Sequence, residues 1–79
     1  MRIDKYLKVS RLIKRRTVAN EACDAGRISV NGRPVKASQD VKCGDVIEIA
    51  FETKSVRAEV TGLQESIRKE DAREMYKLL

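Results

Sequence analysis

The dipeptide Asn31-Gly32 constrains the fold of this chain more than any other short feature. Asn and Gly both tolerate the positive φ angles that a two-residue β-hairpin turn requires at its central positions. Before the dipeptide, Arg27–Asn31 alternates polar and apolar residues, which predicts a strand with its apolar side chains facing the core. After it, Arg33–Lys36 is the predicted return strand, and Pro34 indicates that this strand lies at a sheet edge.

Two short helices are predicted before the hairpin. Apolar residues three and four positions apart predict the first helix over residues 2–12. The second is predicted over residues 17–25, with Thr17 as its N-cap and Gly26 as the left-handed residue just after its end. The second helix is rich in Ala, and these small side chains would let it pack closely against a neighbour.

The remaining sequence predicts a second pair of strands and a third helix. Lys42–Asp45 has the composition of a turn, and Val46–Phe51 and Ser55–Thr61 are predicted to pair as antiparallel strands. A C-terminal helix is predicted from the spacing of Ile67, Ala72, Met75, Tyr76 and Leu79. The expected fold class is α+β, two N-terminal helices packed on a small antiparallel sheet, plus a C-terminal helix. We expect residues 1–79 to form one domain, with the C-terminal hairpin and helix in residues 51–79.

Positive charge is concentrated in the first half of the chain. The net charge is +5, but residues 1–36 alone carry ten Lys and Arg against three acidic residues, a net of +7. Residues 37–79 have a net charge of −2. Such an asymmetry favours a cationic face that binds a polyanion.

Nothing in the sequence indicates catalysis. The chain has no His, the usual general base. Its four Gly residues are isolated at turns or caps and form no phosphate-binding loop. Acidic residues of the second half (Asp40, Asp45, Glu48 and Glu52) fall in turns and strands, where carboxylates are commonly just solvated. We therefore predict that the protein is not an enzyme and needs no cofactor.

The two cysteines do not indicate a metal site. Cys23 and Cys43 are twenty residues apart, and neither belongs to a Cys-x-x-Cys pair that could ligate zinc. A disulfide would require an oxidising compartment, so two buried thiols in a reducing cytosol are the preferred interpretation. No signal peptide and no membrane-spanning segment is evident, which predicts a cytoplasmic protein that does not bind a membrane.

A cationic set is predicted to bind the polyanion. It comprises Arg2, Lys5, Arg11, Lys14, Arg15, Arg16, Arg27, Arg33 and Lys36. Arg16 is the prime candidate, because it directly precedes the predicted N-cap, where free N–H groups and the helix dipole also attract a phosphate. The alternative, a merely solvated charged face, is less favoured because the set lacks acidic partners at helical spacing.

Structured RNA is the preferred polyanion. Proteins that bind single strands stack bases on exposed aromatic rings, and the basic half offers only Tyr6. A DNA-binding helix-turn-helix over residues 2–25 is the alternative. The second helix is short for reading bases, and it carries two acidic residues.

The sequence resembles the S4-type (αL motif) RNA-binding family. The resemblance covers about residues 1–50 and is carried by Arg2-Ile-Asp4, Lys5-Tyr-Leu7, Arg15-Arg-Thr17, Ala19, Gly26-Arg-Ile-Ser-Val-Asn-Gly32, Val35 and Lys42-Cys-Gly-Asp-Val-Ile47. Within this superfamily the chain is similar to the RqcP-type members of the ribosome-associated heat-shock protein group. That closer match lies in Ser10-Arg-Leu-Ile-Lys-Arg-Arg-Thr17 and Arg73-Glu-Met-Tyr76.

The resemblance implies a function in ribosome-associated quality control. It implies binding to rRNA and peptidyl-tRNA on the large ribosomal subunit, in support of an RqcH-type factor that adds C-terminal alanine tails to stalled chains. Arg2 and Arg16 would be the first RNA contacts. Separately from the resemblance, the sequence has no obvious apolar stripe for dimerisation, which predicts a monomer. The alternatives are a small sequence-specific DNA-binding regulator, or an RNA-binding domain that assists an RNA-modifying enzyme in trans.

Overall fold

The predicted hairpin at Asn31-Gly32 forms, with strands shorter than the predicted residues 27–31 and 33–36. In the computed structural model, which describes residues 1–64 and 69–79, strand β1 (Ile28–Val30) pairs with β2 (Arg33–Pro34). The φ angles of Asn31 and Gly32 are +52° and +84°, the combination of a type I′ turn. The Asn31 side chain also accepts a hydrogen bond from the Val46 N–H (2.9 Å), which ties the turn to the next strand.

An antiparallel sheet grows from this hairpin. Strands β3 (Val46–Ala50) and β4 (Ser55–Val60) form the second predicted pair, and a further strand, β5 (Tyr76–Leu78), lies beyond β4. Within the described residues the strand order is β2-β1-β3-β4-β5. The edge position predicted from Pro34 is confirmed, since among the five described strands β2 pairs with β1 alone.

The Lys42–Asp45 turn is confirmed, and Asp45 stabilises it. The Asp45 carboxylate accepts hydrogen bonds from the Lys42 N–H (3.0 Å) and from the Asn31 side chain (3.1 Å). This acidic residue is half-buried, so the expectation that it is only solvated was wrong.

Both N-terminal helices form, with shorter bounds than predicted. Helix α1 is Ile3–Val9 and helix α2 is Arg16–Asp24. Helix α1 ends early because Arg11 adopts a left-handed conformation (φ +64°), which turns the chain away. At the end of α2 the predicted left-handed Gly26 (φ +74°) is confirmed. The N–H groups of Gly26 and Arg27 bind the carbonyls of Cys23 and Ala22, the hydrogen-bond pattern of a Schellman motif.

The predicted N-cap of α2 was wrong. Arg15, not Thr17, is the N-cap residue, and within the part of the chain that the structure describes no side-chain hydrogen bond caps the helix. Thr17 lies one residue inside the helix. The sequence offered a good capping residue at Thr17, but the N-cap lies two residues earlier, and Arg16 is the first residue of the helix.

One core lies between the helices and the sheet. Helices α1 and α2 contribute Ile3, Tyr6, Leu7, Ala19 and Cys23, and the strands contribute Ile28, Val30, Ile47, Ile49 and Val60. The inward alternation predicted for β1 is therefore confirmed, and β3 alternates in the same way. The small Ala19 and Cys23 side chains are the buried residues of α2, as expected for a helix that packs closely.

The predicted C-terminal helix is replaced by a 3₁₀ helix and a strand. The 3₁₀ helix is Lys69–Met75, and Tyr76–Leu78 then extends along the open edge of β4 as β5. Ile67, one of the residues on which the prediction rested, lies outside the described residues. Ala72 and Met75 are buried as their spacing suggested, but β4 offers unpaired backbone groups, and the chain pairs with them instead of continuing a helix.

Tyr6 joins the first helix to this C-terminal segment. Its buried hydroxyl donates a hydrogen bond to the Met75 carbonyl, which also accepts from the N–H groups of Thr61 and Gly62. We expect Tyr6→Phe to lower the free energy of unfolding by about 1 kcal/mol at pH 7. The effect stays moderate because the carbonyl keeps two donors. Urea unfolding of both proteins measures it, and an unchanged midpoint would show that the hydroxyl bond contributes nothing.

The same variant should respond differently to alkali. Burial, helped by the nearby Cys43 and Tyr76, raises the pKa of Tyr6 far above its ordinary value of 10.0. The unfolded state therefore releases this proton first, and the wild type loses stability as the pH rises above 10. Tyr6→Phe lacks this loss, so the two unfolding free energies should become equal near about pH 11. A gap that stays constant from pH 7 to 11 would contradict the assignment.

Candidate nucleic-acid interface

Asp4, a buried carboxylate, organises the N-terminal ends of both helices. It lies on the inner side of α1 and its side chain is only 2% exposed. Arg2 Nη2 donates a hydrogen bond to its Oδ2 (3.2 Å), and Arg16 Nη2 donates to its Oδ1 (3.3 Å). Arg16 Nε lies 3.3 Å from Oδ2, so this arginine engages both oxygens. One buried anion thus holds two guanidinium groups.

Two further donors complete the environment of Asp4. Its Oδ1 accepts a hydrogen bond from the Lys5 N–H (2.8 Å), and its Oδ2 accepts one from the Asn20 side chain (3.3 Å). Arg16 and Asn20 are four residues apart on α2, so both face α1. Burial alone would raise the pKa of Asp4, but the hydrogen bonds from Arg16 and Lys5 and the charges of Arg16 and Arg2 outweigh it. The net result is a lowered pKa, so Asp4 is charged at neutral pH.

The backbone around Asp4 is also fixed. The first N–H groups of α1 have no acceptor within the helix. Here the Ile3 N–H donates to the Gln39 carbonyl (2.7 Å) and the Asp4 N–H to the Ala37 carbonyl (3.3 Å). The segment that follows β2 therefore holds the start of α1 in place, and with it the carboxylate.

Arg2 and Arg16 present their remaining donors to solvent. Their side chains are 50% and 47% exposed. A guanidinium carries five N–H donors in a fixed plane, and Asp4 occupies only some of them. The free donors can bind a phosphate in the paired geometry that arginine favours. Because the buried anion restrains both side chains, little further ordering is needed when an anion binds.

The structure brings together only part of the predicted cationic set. Arg2 and Arg16 meet at Asp4, and Lys14 and Arg15 directly precede α2 in exposed positions. Lys5 follows Asp4 and is half-buried, and Arg11 is exposed just after α1.

The hairpin cations lie elsewhere. Arg27 follows the far end of α2, a helix of nine residues that is about 13 Å long and begins at Arg16. Arg33 lies on the edge strand β2, and Lys36 follows that strand. Four of the nine residues therefore lie around the N-termini of the helices, Lys5 and Arg11 lie within and just after α1, and the other three lie along the hairpin.

The predicted role of the α2 N-terminus changes in detail. Arg16 is the first residue of α2 and its guanidinium is directed to Asp4 on α1. It does not lie ahead of the cap beside the free N–H groups, as the sequence suggested. Its position is set by an ion pair between two helices.

Two residues of this site were missed by sequence reasoning. The sequence predicted no role for Asp4, although it belongs to the Arg2-Ile-Asp4 motif, and none for Asn20. A signal existed for both. Asp4 lies among apolar residues of α1, where a carboxylate needs partners, and Arg16 and Asn20 have the spacing of one helical face.

The cysteines differ in burial. Cys23 is buried in α2, where burial raises the pKa of its thiol, but Cys43 is exposed, which contradicts the expectation of two buried thiols. Both are free in the structure.

Among residues 1–64 and 69–79, no cluster of acidic or cysteine side chains is arranged to hold a metal ion. Nor does any helix in those residues have the length and apolarity to span a membrane.

Comparison with known proteins identifies the family of this chain. The S4 domain family model matches residues 1–47. The RQC P-site tRNA stabilizing factor of Bacillus subtilis (strain 168) is 54% identical over 79 residues, which is all of this chain and 92% of that protein. The chain belongs to this family of S4-domain proteins. The factor of the same name from Listeria innocua is 56% identical over 79 residues and 86% of its own length.

Solved structures agree with the family fold. Vibrio cholerae heat shock protein 15, solved as a trimer, superposes with a TM-score of 0.91 over all of this chain and 81% of its own. The two sequences are 24% identical, so this similarity is evidence for a shared fold and for nothing further. The solution structure of the hypothetical protein HP1423 has a TM-score of 0.84 and 30% identity, covering all of this chain and 96% of that one. The α+β, S4-type fold is therefore confirmed.

Proposed function

We propose that this protein is a non-catalytic RNA-binding factor of ribosome-associated quality control. On the large ribosomal subunit it binds rRNA and peptidyl-tRNA and supports C-terminal alanine tailing by an RqcH-type factor. The observation that carries the proposal is the pair of half-exposed arginines held by buried Asp4. Relatives that match the whole chain and are named RQC P-site tRNA stabilizing factor support the biological context.

The mechanism is positional. Arg2 and Arg16 bind backbone phosphates, and Lys14 and Arg15 add charge next to them. Lys5, Arg11, Arg27, Arg33 and Lys36 complete the proposed RNA-binding set. Holding rRNA and tRNA together through these cationic groups of one fold keeps the tRNA in place while the nascent chain is extended. No proton transfer or covalent step is required of the protein.

The assembly state and location belong to the same proposal. The protein acts in the cytoplasm as a monomer, and residues 1–79 form one domain, which the continuous sheet from β2 to β5 supports. Vibrio cholerae heat shock protein 15, which shares this fold, was solved as a trimer, so the proposed monomeric state needs a direct test. Light scattering of the purified protein should give a mass near 9.0 kDa. A mass three times larger would contradict it.

Binding to large subunits is the direct test of this function. The tagged protein should co-sediment with free large subunits, and sequencing of RNA recovered with it should yield large-subunit rRNA and tRNA. Duplex DNA at the same salt concentration should compete poorly, because the arginine pair is arranged for backbone contacts and α2 is only nine residues long. Equal competition would favour a DNA-binding regulator. Recovery of an enzyme as a stable partner, without ribosomal RNA, would favour a domain that assists an RNA-modifying enzyme in trans.

A further inference from the structure

Phe51 is an exposed aromatic ring in a cationic setting. It lies at the turn between β3 and β4 and is 50% exposed. An open cleft of about 660 Å³ beside it is lined by Arg27, Phe51, Glu52, Thr53, Lys54 and Val56. Single exposed apolar side chains are common on proteins. A ring that shares a cleft with two cations is a more specific arrangement.

Backbone hydrogen bonds hold this cleft together. The Phe51 N–H donates to the Lys54 carbonyl (2.7 Å), which closes the turn, and the Ala50 N–H donates to the Arg27 carbonyl (2.8 Å). Arg27 is thereby fixed beside the end of β3. Phe51 follows the alternation of the buried Ile47 and Ile49, but it lies past the end of the strand and so projects beyond the core.

Tyr6, the aromatic residue of the basic half, is not available to stack an RNA base. Tyr6 is fully buried, and its hydroxyl is bonded to Met75. A base cannot stack on it without unfolding the core. Phe51 comes from the second half of the chain, and the fold places it beside Arg27, a member of the cationic set.

We propose that Phe51 stacks an unpaired RNA base whose phosphates contact Arg27 and Lys54. The ring supplies a face that accepts any base, and the two cations attract the backbone on either side of it. Among the described residues, Glu52 is the one carboxylate lining the cleft against two cations, so this lining carries a net positive charge. This inference rests on the proposed RNA-binding function and adds a second contact, at the opposite end of α2 from Arg16.

A tryptophan reporter tests the stacking. The chain has no Trp, so Phe51→Trp introduces a single indole fluorophore that can still stack. Titration with a mixed-sequence single-stranded RNA of about twelve nucleotides should quench this fluorescence. Long-chain polyphosphate, which has the charge but no bases, should bind without comparable quenching. Equal quenching by polyphosphate, or none by RNA, would overturn the proposal.

Affinity measurements separate this inference from the proposed function. Phe51→Leu keeps an apolar side chain but removes the ring, so binding of the same RNA should weaken about five- to a hundredfold. Circular dichroism confirms the fold, and Leu78→Ala, at another exposed apolar position, is the control. Binding to large subunits is measured for Phe51→Leu and Arg16→Ala in parallel.

Each outcome decides a different point. If Arg16→Ala weakens subunit binding and Phe51→Leu binds both RNA and subunits like the wild type, the stacking site is wrong and the proposed function stands. If neither variant weakens subunit binding, both the proposed function and the stacking site are wrong. If Phe51→Leu weakens subunit binding but not RNA binding, the ring contacts a protein surface, which also overturns stacking.

Discussion

Replacing Arg16 by Ala should weaken binding to large ribosomal subunits on the order of ten- to a hundredfold. A hydrogen-bonded contact to a charged group is worth about 1.5 to 3 kcal/mol, and Arg16 is the arginine that engages both oxygens of Asp4. Its loss removes a restrained phosphate contact and also loosens the anion that holds Arg2. The salt dependence should become shallower by up to about 0.9 in the log–log slope. Co-sedimentation across a salt series measures both quantities.

Arg57→Ala is a matched control for Arg16→Ala. Arg57 is exposed on β4, outside the proposed RNA-binding set, and the substitution removes the same single charge. Arg16→Ala should remain folded, because Asp4 retains donors from Arg2, Asn20 and the Lys5 N–H. Equal affinity and salt slope in the two variants would show that Arg16 contributes only general charge.

Asp4→Asn should weaken RNA binding even though it makes the protein more positive. The change raises the net charge by one, so a binding mode that depended on total charge alone would become tighter. We expect the reverse, since an amide has one oxygen where the carboxylate has two, and its NH₂ group would face the donors of Arg2 or Arg16. Asp24→Asn, at an exposed position of α2, makes the same charge change and is the control. Tighter binding by both variants would contradict the positioning role of Asp4.

The same substitution should reduce stability. A buried carboxylate with several donors is replaced by a group that satisfies fewer of them, which costs about 2 to 3 kcal/mol at pH 7. The arginines remain half-exposed and can be solvated, which keeps the loss from being larger. Denaturant unfolding gives this value, and affinities are then compared at a temperature where both proteins are folded. A loss below 0.5 kcal/mol, roughly the range of a surface substitution, would contradict the role of Asp4 as a structural anion.

The stability difference should depend on pH with a defined sign. The pKa of Asp4 is lowered in the folded protein from an ordinary value of 3.8. Its contribution is therefore present above about pH 4 and is lost as the pH falls toward the folded pKa. The wild type and Asp4→Asn should converge in unfolding free energy below that point. A difference that grows on acidification would mean that the folded state raises this pKa.

The sequence by itself determined the features that depend on neighbouring residues. The Asn31-Gly32 turn and the end of α2 at Gly26 follow from backbone preferences spanning a few residues, and both were confirmed. The inward faces of β1 and β3 follow from alternation. The concentration of charge in the first half was readable from the sequence too, since it requires no geometry.

Only the tertiary structure decided which residues meet. Arg16 and Asn20 are 12 and 16 residues from Asp4, and their contact depends on how α1 packs against α2. Periodicity identifies the face of a helix but not the facing residue. For the same reason Tyr76–Leu78, spaced as a helix, became β5, because the open edge of β4 offers backbone partners that no local pattern reveals. The sequence supplied the positive charges, and the packing of two helices around a buried aspartate gave two of them a fixed position.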